Sequence, residues 1–327
     1  MKKRVFGKSG MEVSEVGVGT WQFGGDWGQV SEDAALQTLK AAVDSGVNFF
    51  DTADVYGAGR SESIIGKFLK QSKAKVFVAT KLIRFPDPGW PANVSWEAFR
   101  LHTENSIKRL GLEALDLTQL HCPTLSIFKK GEVFEWLRRL KKEGKIRNWG
   151  ASVETVEEGL FCLQQEGLAS LQVIFNLFRQ KPLEALFPEA KKKGVAIIVR
   201  LSLASGLLAG KYRKDTQFAP EDHRTYNRDG EAFNVGETFA GLPFEKGVEL
   251  ADKLKPLLPA GMSLAQMANR WCLDFDSVTT IIPGAKNPQQ AMENAKVSDF
   301  PPLSKELHQR LRDFYAKEVA SHIRGGY

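Results

Sequence analysis

The sequence predicts an α/β chain closed into a barrel, on three observations. Short, almost wholly apolar runs of strand length alternate about eight times with stretches of helical apolar spacing along 327 residues. Such continuous apolar strands are what a parallel sheet buried on both faces requires. Three consecutive runs end on a titratable side chain, Asp51, Lys81 and His121, and a parallel α/β barrel builds its chemistry from residues at the carboxyl ends of different strands. No abrupt shift of composition divides the chain. The expected architecture is therefore a single domain over residues 1–327, a (β/α)8 (TIM) barrel with an N-terminal β-hairpin and a long loop after strand 7.

Each element follows in order. Residues 4–14 read as a hairpin turning at Lys8-Ser9-Gly10 and capping one end of the barrel. Residues 16–19 are the first buried strand. Ser31 opens a helix whose Ala35, Leu36, Leu39, Ala42 and Val43 recur at helical spacing, and Gly46 closes it. Residues 47–50 form the strand that ends at Asp51. A helix over about residues 61–69 leads to the strand of residues 76–80, which runs into Lys81. A helix presenting Trp96, Phe99, Ile107 and Leu110 leads to the strand of residues 117–120, which runs into His121. Val133, Phe134, Leu137 and Leu140 mark the next helix, before a strand at residues 146–151. Thr155 with Glu158 is a capping-box start, followed by a strand at residues 171–175. Pro182 suits the first turn of a helix, and residues 195–199 form the seventh strand, ending at Arg200. Residues 279–282 are the eighth strand, and Asn287-Pro288 begins the last core helix.

Residues 211–241 stand apart as a polar stretch containing Glu221-Asp222-His223-Arg224. A loop of that length in a compact fold is usually a lid or binding loop.

Composition narrows the partners. With 45 basic and 39 acidic side chains, the formal charge is +6. Lys191, Lys192 and Lys193 read as a solvated helix end, and no nucleic-acid recognition motif accompanies the charge. Cys122, Cys162 and Cys272 are odd in number and widely spaced, which suits neither a disulfide framework nor a zinc site and fits a cytoplasmic setting. No apolar run approaches membrane-spanning length. No cluster has metal-ligand spacing, and His102, His223, His308 and His322 read as solvated side chains.

Asp51, Tyr56, Lys81 and His121 make sense together as proton-transfer machinery. A free phenol titrates near ~10, and a neighbouring ammonium favours its anion. Lys81 supplies that ammonium, Asp51 holds the lysine, and a neutral His121 offers a hydrogen bond to a carbonyl. Two glycine-rich stretches fail as phosphate motifs. Gly17-Val18-Gly19 lacks the third glycine of a dinucleotide fingerprint, and Gly206 to Lys211 is one residue short of a phosphate loop, with Tyr212 where a serine or threonine is needed. The stronger anion signal is Pro283-Gly284-Ala285-Lys286-Asn287-Pro288, where a strand ends and a helix N-terminus begins beside a lysine. Trp21, Phe85 and Trp90 are candidates to line an apolar substrate pocket.

Read together, these motifs resemble the aldo-keto reductase family over essentially the whole chain. The likeness is carried by Gly19-Thr20-Trp21, Asp51-Thr52-Ala53-Asp54-Val55-Tyr56-Gly57, Gly59-Arg60-Ser61-Glu62, Lys81, Leu120-His121-Cys122-Pro123, Gly144-Lys145-Ile146-Arg147, Gly206 to Tyr212 and Pro283 to Lys286. The resemblance implies an NADPH-dependent carbonyl reductase with its site at the carboxyl face of the barrel. It places the catalytic roles on Asp51, Tyr56, Lys81 and His121. It implies cofactor contacts at Thr20, Trp21, Asp51, Ser152, Gln172, Arg200, Leu203, Ser205, Gly206, Leu208, Lys211, Gly284, Lys286, Gln290, Glu293 and Asn294. The chain departs from the family at Val153, which follows Ser152 where an asparagine is usual. It departs again at Arg200, near a frequent aromatic position, and at Ser202, which replaces a frequent proline.

The expected activity is reduction of a small-molecule aldehyde or ketone to an alcohol, with Tyr56 as general acid. A different class, a cofactor-binding regulatory subunit with weak or vestigial reductase activity, is the alternative. A barrel isomerase or aldolase using Lys81 as a Schiff-base nucleophile is a third reading.

Overall fold

The chain is described by a computed structural model covering residues 1–25 and 27–327. Strands β1 (Lys3–Val5) and β2 (Glu12–Ser14) pair antiparallel, Lys3 against Ser14 and Val5 against Glu12. At the turn Gly7 has a φ of +52°, and a Cβ there would sit 2.7 Å from the Gly194 carbonyl oxygen, so the hairpin can press onto the barrel only with glycine. Phe6 is thereby driven against Phe49 and Phe77, sealing the amino end of the barrel as expected.

Eight parallel strands follow: β3 (Val18–Gly19), β4 (Phe49–Asp51), β5 (Phe77–Leu82), β6 (Leu115–His121), β7 (Ile146–Ser152), β8 (Leu168–Ile174), β9 (Ala196–Arg200) and β10 (Val278–Ile281). Each pairs with its predecessor from β3 to β10. Parallel bridges Val16–Ile281 and Gly19–Gly284 bring the first strand beside the last. A Cβ on Gly19 would lie 2.7 Å from the Ile282 carbonyl oxygen. Closure needs that glycine.

Helices cover the outside: α1 (Glu32–Asp44), α2 (Arg60–Ser72), α3 (Trp96–Leu110), α4 (Leu125–Lys130), α5 (Glu132–Lys142), α6 (Val156–Cys162), α7 (Leu186–Lys193), α8 (His223–Tyr226), α9 (Phe244–Leu254), α10 (Leu264–Leu273), α11 (Pro288–Ala295) and α12 (Lys305–Phe314). Side chains of Ser31, Ser95, Asn287 and Ser304 cap their helices as their sequence positions demand, and Thr155–Glu158 forms the full capping box. Among the described residues, no helix is long and apolar enough to cross a membrane.

Two expectations need correction. Pro182 begins only a 3-10 turn, Lys181–Leu183, and α7 starts at Leu186, because the chain must bend before it can lie along the barrel. His102 and His223 are buried rather than solvated; His102 lies against Phe85 and His223 against Trp21 and Trp27. The stretch of residues 211–241 is polar but tightly tied. Asp222 caps α8 and pairs with Arg224 at 2.5 Å, and Asn227 Oδ1 accepts from the amides of Ala232 and Phe233. Arg324, from the C-terminal tail, donates to the carbonyls of Arg228, Gly241 and Leu242.

Candidate active site

Side chains alternate across a strand, and that period of two builds the site. Phe49, Phe77, Ala79, Leu117, Ala196 and Ile198 form one apolar cluster inside the barrel, while Phe50, Val78, Leu82, Leu120, Ile197 and Val199 belong to the layer beneath the helices. Two residues beyond the inner set come Asp51, Lys81 and Arg200; Gln119 and then His121 follow Leu117. Gln172 stands level with Ile198 on the neighbouring strand. The barrel is thus apolar at its amino end and polar at its carboxyl end, and the polar layer contains the residues singled out from sequence.

There Lys81 Nζ lies 2.5 Å from Asp51 Oδ1, 2.8 Å from the Thr52 carbonyl oxygen and 3.3 Å from the Tyr56 hydroxyl. The other Asp51 oxygen accepts from Gln172 Nε2 at 2.7 Å and Gln119 Nε2 at 3.1 Å. The Tyr56 ring meets His121 edge to face at 5.8 Å and stacks on Trp21 at 5.8 Å. A cavity of about 750 Å³ opens from Tyr56 and His121 across the strand ends. All the residues expected at the cofactor line it except two. Ser152 lies below the surface with its Oγ accepting from the Cys122 thiol at 3.2 Å, and Leu208 is packed into the core.

The cavity lining also carries Lys211, Arg224, Lys286 just before the start of α11 and Lys296 at its C-cap, together with Gln290 and Asn294 of that helix. A cavity lined by cations and a helix start as well as by a phenol and an imidazole fits a phosphate-bearing dinucleotide. Trp27, Tyr212, Arg224, Glu237 and Lys296 join the lining without having been singled out for it. Trp27, Tyr212, Arg224 and Glu237 come from mostly irregular segments whose approach no local periodicity announces, whereas Lys296 follows Gln289 and Glu293 at helical spacing.

The profile of the Aldo/keto reductase family matches residues 15–316. The chain belongs to that family. Over 295 residues it is 31% identical to the aldo-keto reductase YhdN of Bacillus subtilis (strain 168), covering 86% of this chain and 84% of that protein. It is 30% identical to a probable voltage-gated potassium channel subunit beta of Arabidopsis thaliana, covering 93% of each. Among solved structures, a glycerol dehydrogenase from Gluconobacter oxydans superposes with a TM-score of 0.78 at 30% identity, covering 99% of this chain and 98% of that one. This aldo/keto reductase is therefore an oxidoreductase of a family that uses a nicotinamide cofactor on small carbonyl compounds.

Titration in the reductase follows burial. The Tyr56 phenol is raised above its ordinary value, chiefly by burial, with Lys81 pulling the other way; the expectation that the ammonium would win is corrected. Burial opposes the charge on Lys81, but Asp51 and Tyr56 outweigh it and hold the ammonium above its ordinary range. The His121 imidazole is lowered well below its usual value by burial, then by Arg84 and Lys81. It is therefore neutral at pH 7, with Nδ1 unpartnered.

The wall beside His121 is charged rather than apolar. Arg84 pairs with Glu237 at 2.9 Å, and Arg200 pairs with Glu154 at 3.0 Å and with Glu237 at 3.7 Å. Burial, reinforced by Glu237, pushes Glu154 up to about 7, while the two guanidiniums hold Glu237 low against its own burial. Cys122, Glu154 and Glu237 also bring donor atoms within 4.8 Å of one another, but guanidinium groups already engage them, Arg200 reaching the Cys122 sulfur at 3.4 Å. Of the aromatic candidates for a substrate pocket, Trp21 lines the cavity. Phe85 instead packs on His102 and under Arg109, and Trp90 is 61% exposed.

Proposed function

We propose that this reductase transfers hydride from NADPH to small aldehydes or ketones, residues 1–327 acting as one unit. Tyr56 is the proton donor, Lys81 and Asp51 hold the phenol in place, and a neutral His121 orients the carbonyl. The observation that carries this reading is the continuous hydrogen-bonded run from Asp51 through Lys81 to Tyr56, opening beside His121 into the cavity.

The cofactor supplies the hydride; the chain's own residues do the rest. Tyr56, kept neutral by burial, carries the proton that a developing alkoxide needs. Lys81 lies against its oxygen and stabilises the phenolate left behind. Asp51 holds Lys81 charged and in place, so an ammonium already faces the oxygen when the phenol gives up its proton and the run takes on one negative charge. Lys211, Arg224, Lys286 and Lys296 would hold the phosphates, with Lys286 and Gln290 at the adenosine 2′-phosphate.

A Schiff-base role for Lys81 is disfavoured by the same geometry. Its ammonium is bonded to three oxygens and held in the charged form, whereas a nucleophilic amine must be neutral. The likeness to a potassium channel beta subunit supports a second reading, a cofactor-binding regulatory subunit with vestigial turnover. A panel of aldehydes and ketones assayed by NADPH consumption separates the two. Turnover supports the enzyme, and cofactor binding without turnover across the panel supports the regulator.

A further inference from the structure

We infer that Arg84, on the loop leaving β5, is a positioning residue for this reaction: it fixes the His121 end of β6 and suspends Glu237 of the long segment beside it. The inference rests on the reductase reading above. Arg84 does not line the cavity, so it acts through others. Its Nε donates to the His121 carbonyl oxygen at 3.1 Å, and its NH2 donates to Glu237 Oε1 at 2.9 Å. The planar guanidinium holds the two acceptors in one fixed geometry, which a compact ammonium on a flexible stem does not impose. Arg200 completes a ring, reaching Glu154 and the second Glu237 oxygen.

The backbone around this ring shows why a tie is needed. Ile83, Cys122, Leu201, Phe239 and Ala240 are non-glycine residues at φ of 97°, 51°, 54°, 54° and 59°. Backbone of this kind is strained and persists only where its surroundings over-determine it. Each such residue lies within three positions of a member of the ring or of His121: Ile83 precedes Arg84, Cys122 follows His121, Leu201 follows Arg200, and Phe239 and Ala240 follow Glu237. Four separate chain segments therefore turn sharply at one place, and Arg84, on one of them, donates hydrogen bonds to two others at once. Through it, ordering of residues 211–241 is coupled to the placement of the imidazole.

The arrangement also sets the charge that His121 experiences. Lys81 faces it from β5, Tyr56 from the loop after β4, Arg84 and Arg200 as cations and Glu237 as an anion. Removing a cation raises the imidazole pKa, so the neutral form is lost at a higher pH. Removing Glu237's charge has the opposite effect.

The test is a set of three variants, Arg84→Met, Arg84→Lys and Glu237→Gln, each measured for kcat, KM, NADPH dissociation constant and the pH profile of kcat/KM. Arg84→Met is expected to lower kcat on the order of 10²-fold, the cost of a misplacement near ~1 Å, with NADPH affinity within about threefold. Its acidic limb should move toward neutral pH. Arg84→Lys returns the charge without the fork, so the limb should return while kcat stays depressed; this variant also serves if the methionine chain does not fold. Glu237→Gln should move the limb to lower pH. A kcat within about twofold of native in both Arg84 variants overturns the inference, as does joint loss of kcat and NADPH affinity, or a limb that moves in neither direction. A native protein that binds NADPH but reduces no carbonyl overturns the reductase reading itself.

Discussion

Lys81 Nζ and Asp51 Oδ1 stand 2.5 Å apart with each side chain almost wholly buried, 1% and 3% exposed. Breaking a buried pair by removing one partner leaves the other charge uncompensated, at a typical cost of about 3–5 kcal/mol. Lys81→Met should therefore lower the unfolding free energy by roughly that amount and abolish turnover. Asp51 keeps its two glutamine donors, which places the loss at the lower end. Urea denaturation checks it, and a change under about 1 kcal/mol would show that Asp51 is protonated or solvated without its lysine.

Glu154 gives the chain a pH dependence of its own. Its carboxyl is pushed from an ordinary 4.5 up to about 7, so the fold favours the protonated form. That contribution is fully present below pH 4.5 and is lost as pH rises through 7. A displacement of this size is worth about 3 kcal/mol. Between pH 4.5 and 7 the native chain should lose about that much stability relative to Glu154→Gln, whose side chain does not titrate. Parallel stability curves would place the shared proton elsewhere.

The polar layer was legible in sequence because a strand's period of two projects each inward residue from its neighbours. Asp51, Lys81, His121 and Arg200 all end runs whose alternate residues are inside the barrel. Gln119 obeys the same period, between Leu117 and His121, yet an uncharged residue two positions short of a strand end carries no signal of its own. The Arg84–Glu237 bond joins residues 153 apart, and nothing local marks either. For the same reason Phe85 and Trp90 misled: an aromatic in a loop near the site packs wherever its loop turns, and here the loop turns away. The pairing of Tyr56 with Lys81 is legible from the strand ends, but the phenol's titration is not, since burial depends on the whole barrel and outweighs one ammonium.

Cofactor choice turns on Lys286. Burial and then Arg224 hold its ammonium below the ordinary range, and it donates to the Trp27 carbonyl oxygen. An anion at this point would relieve both penalties. Lys286→Ala should weaken NADPH binding by about 1.5–3 kcal/mol, the value of a hydrogen bond to a charged group, and leave NADH nearly unchanged. Titration of both cofactors by fluorescence decides it; equal losses would assign Lys286 to holding Trp27 rather than to the 2′-phosphate.

The most direct measurement is single-turnover carbonyl reduction by Tyr56→Phe, alongside its NADPH affinity. The substitution deletes one hydroxyl, the hydrogen-bond partner of Lys81 at 3.3 Å, and keeps the ring against Trp21 and His121. NADPH binding should stay within about threefold of native while reduction falls ~10²–10⁴-fold, the usual value of general acid catalysis. Reduction at a near-native rate would contradict the assignment of Tyr56 as proton donor.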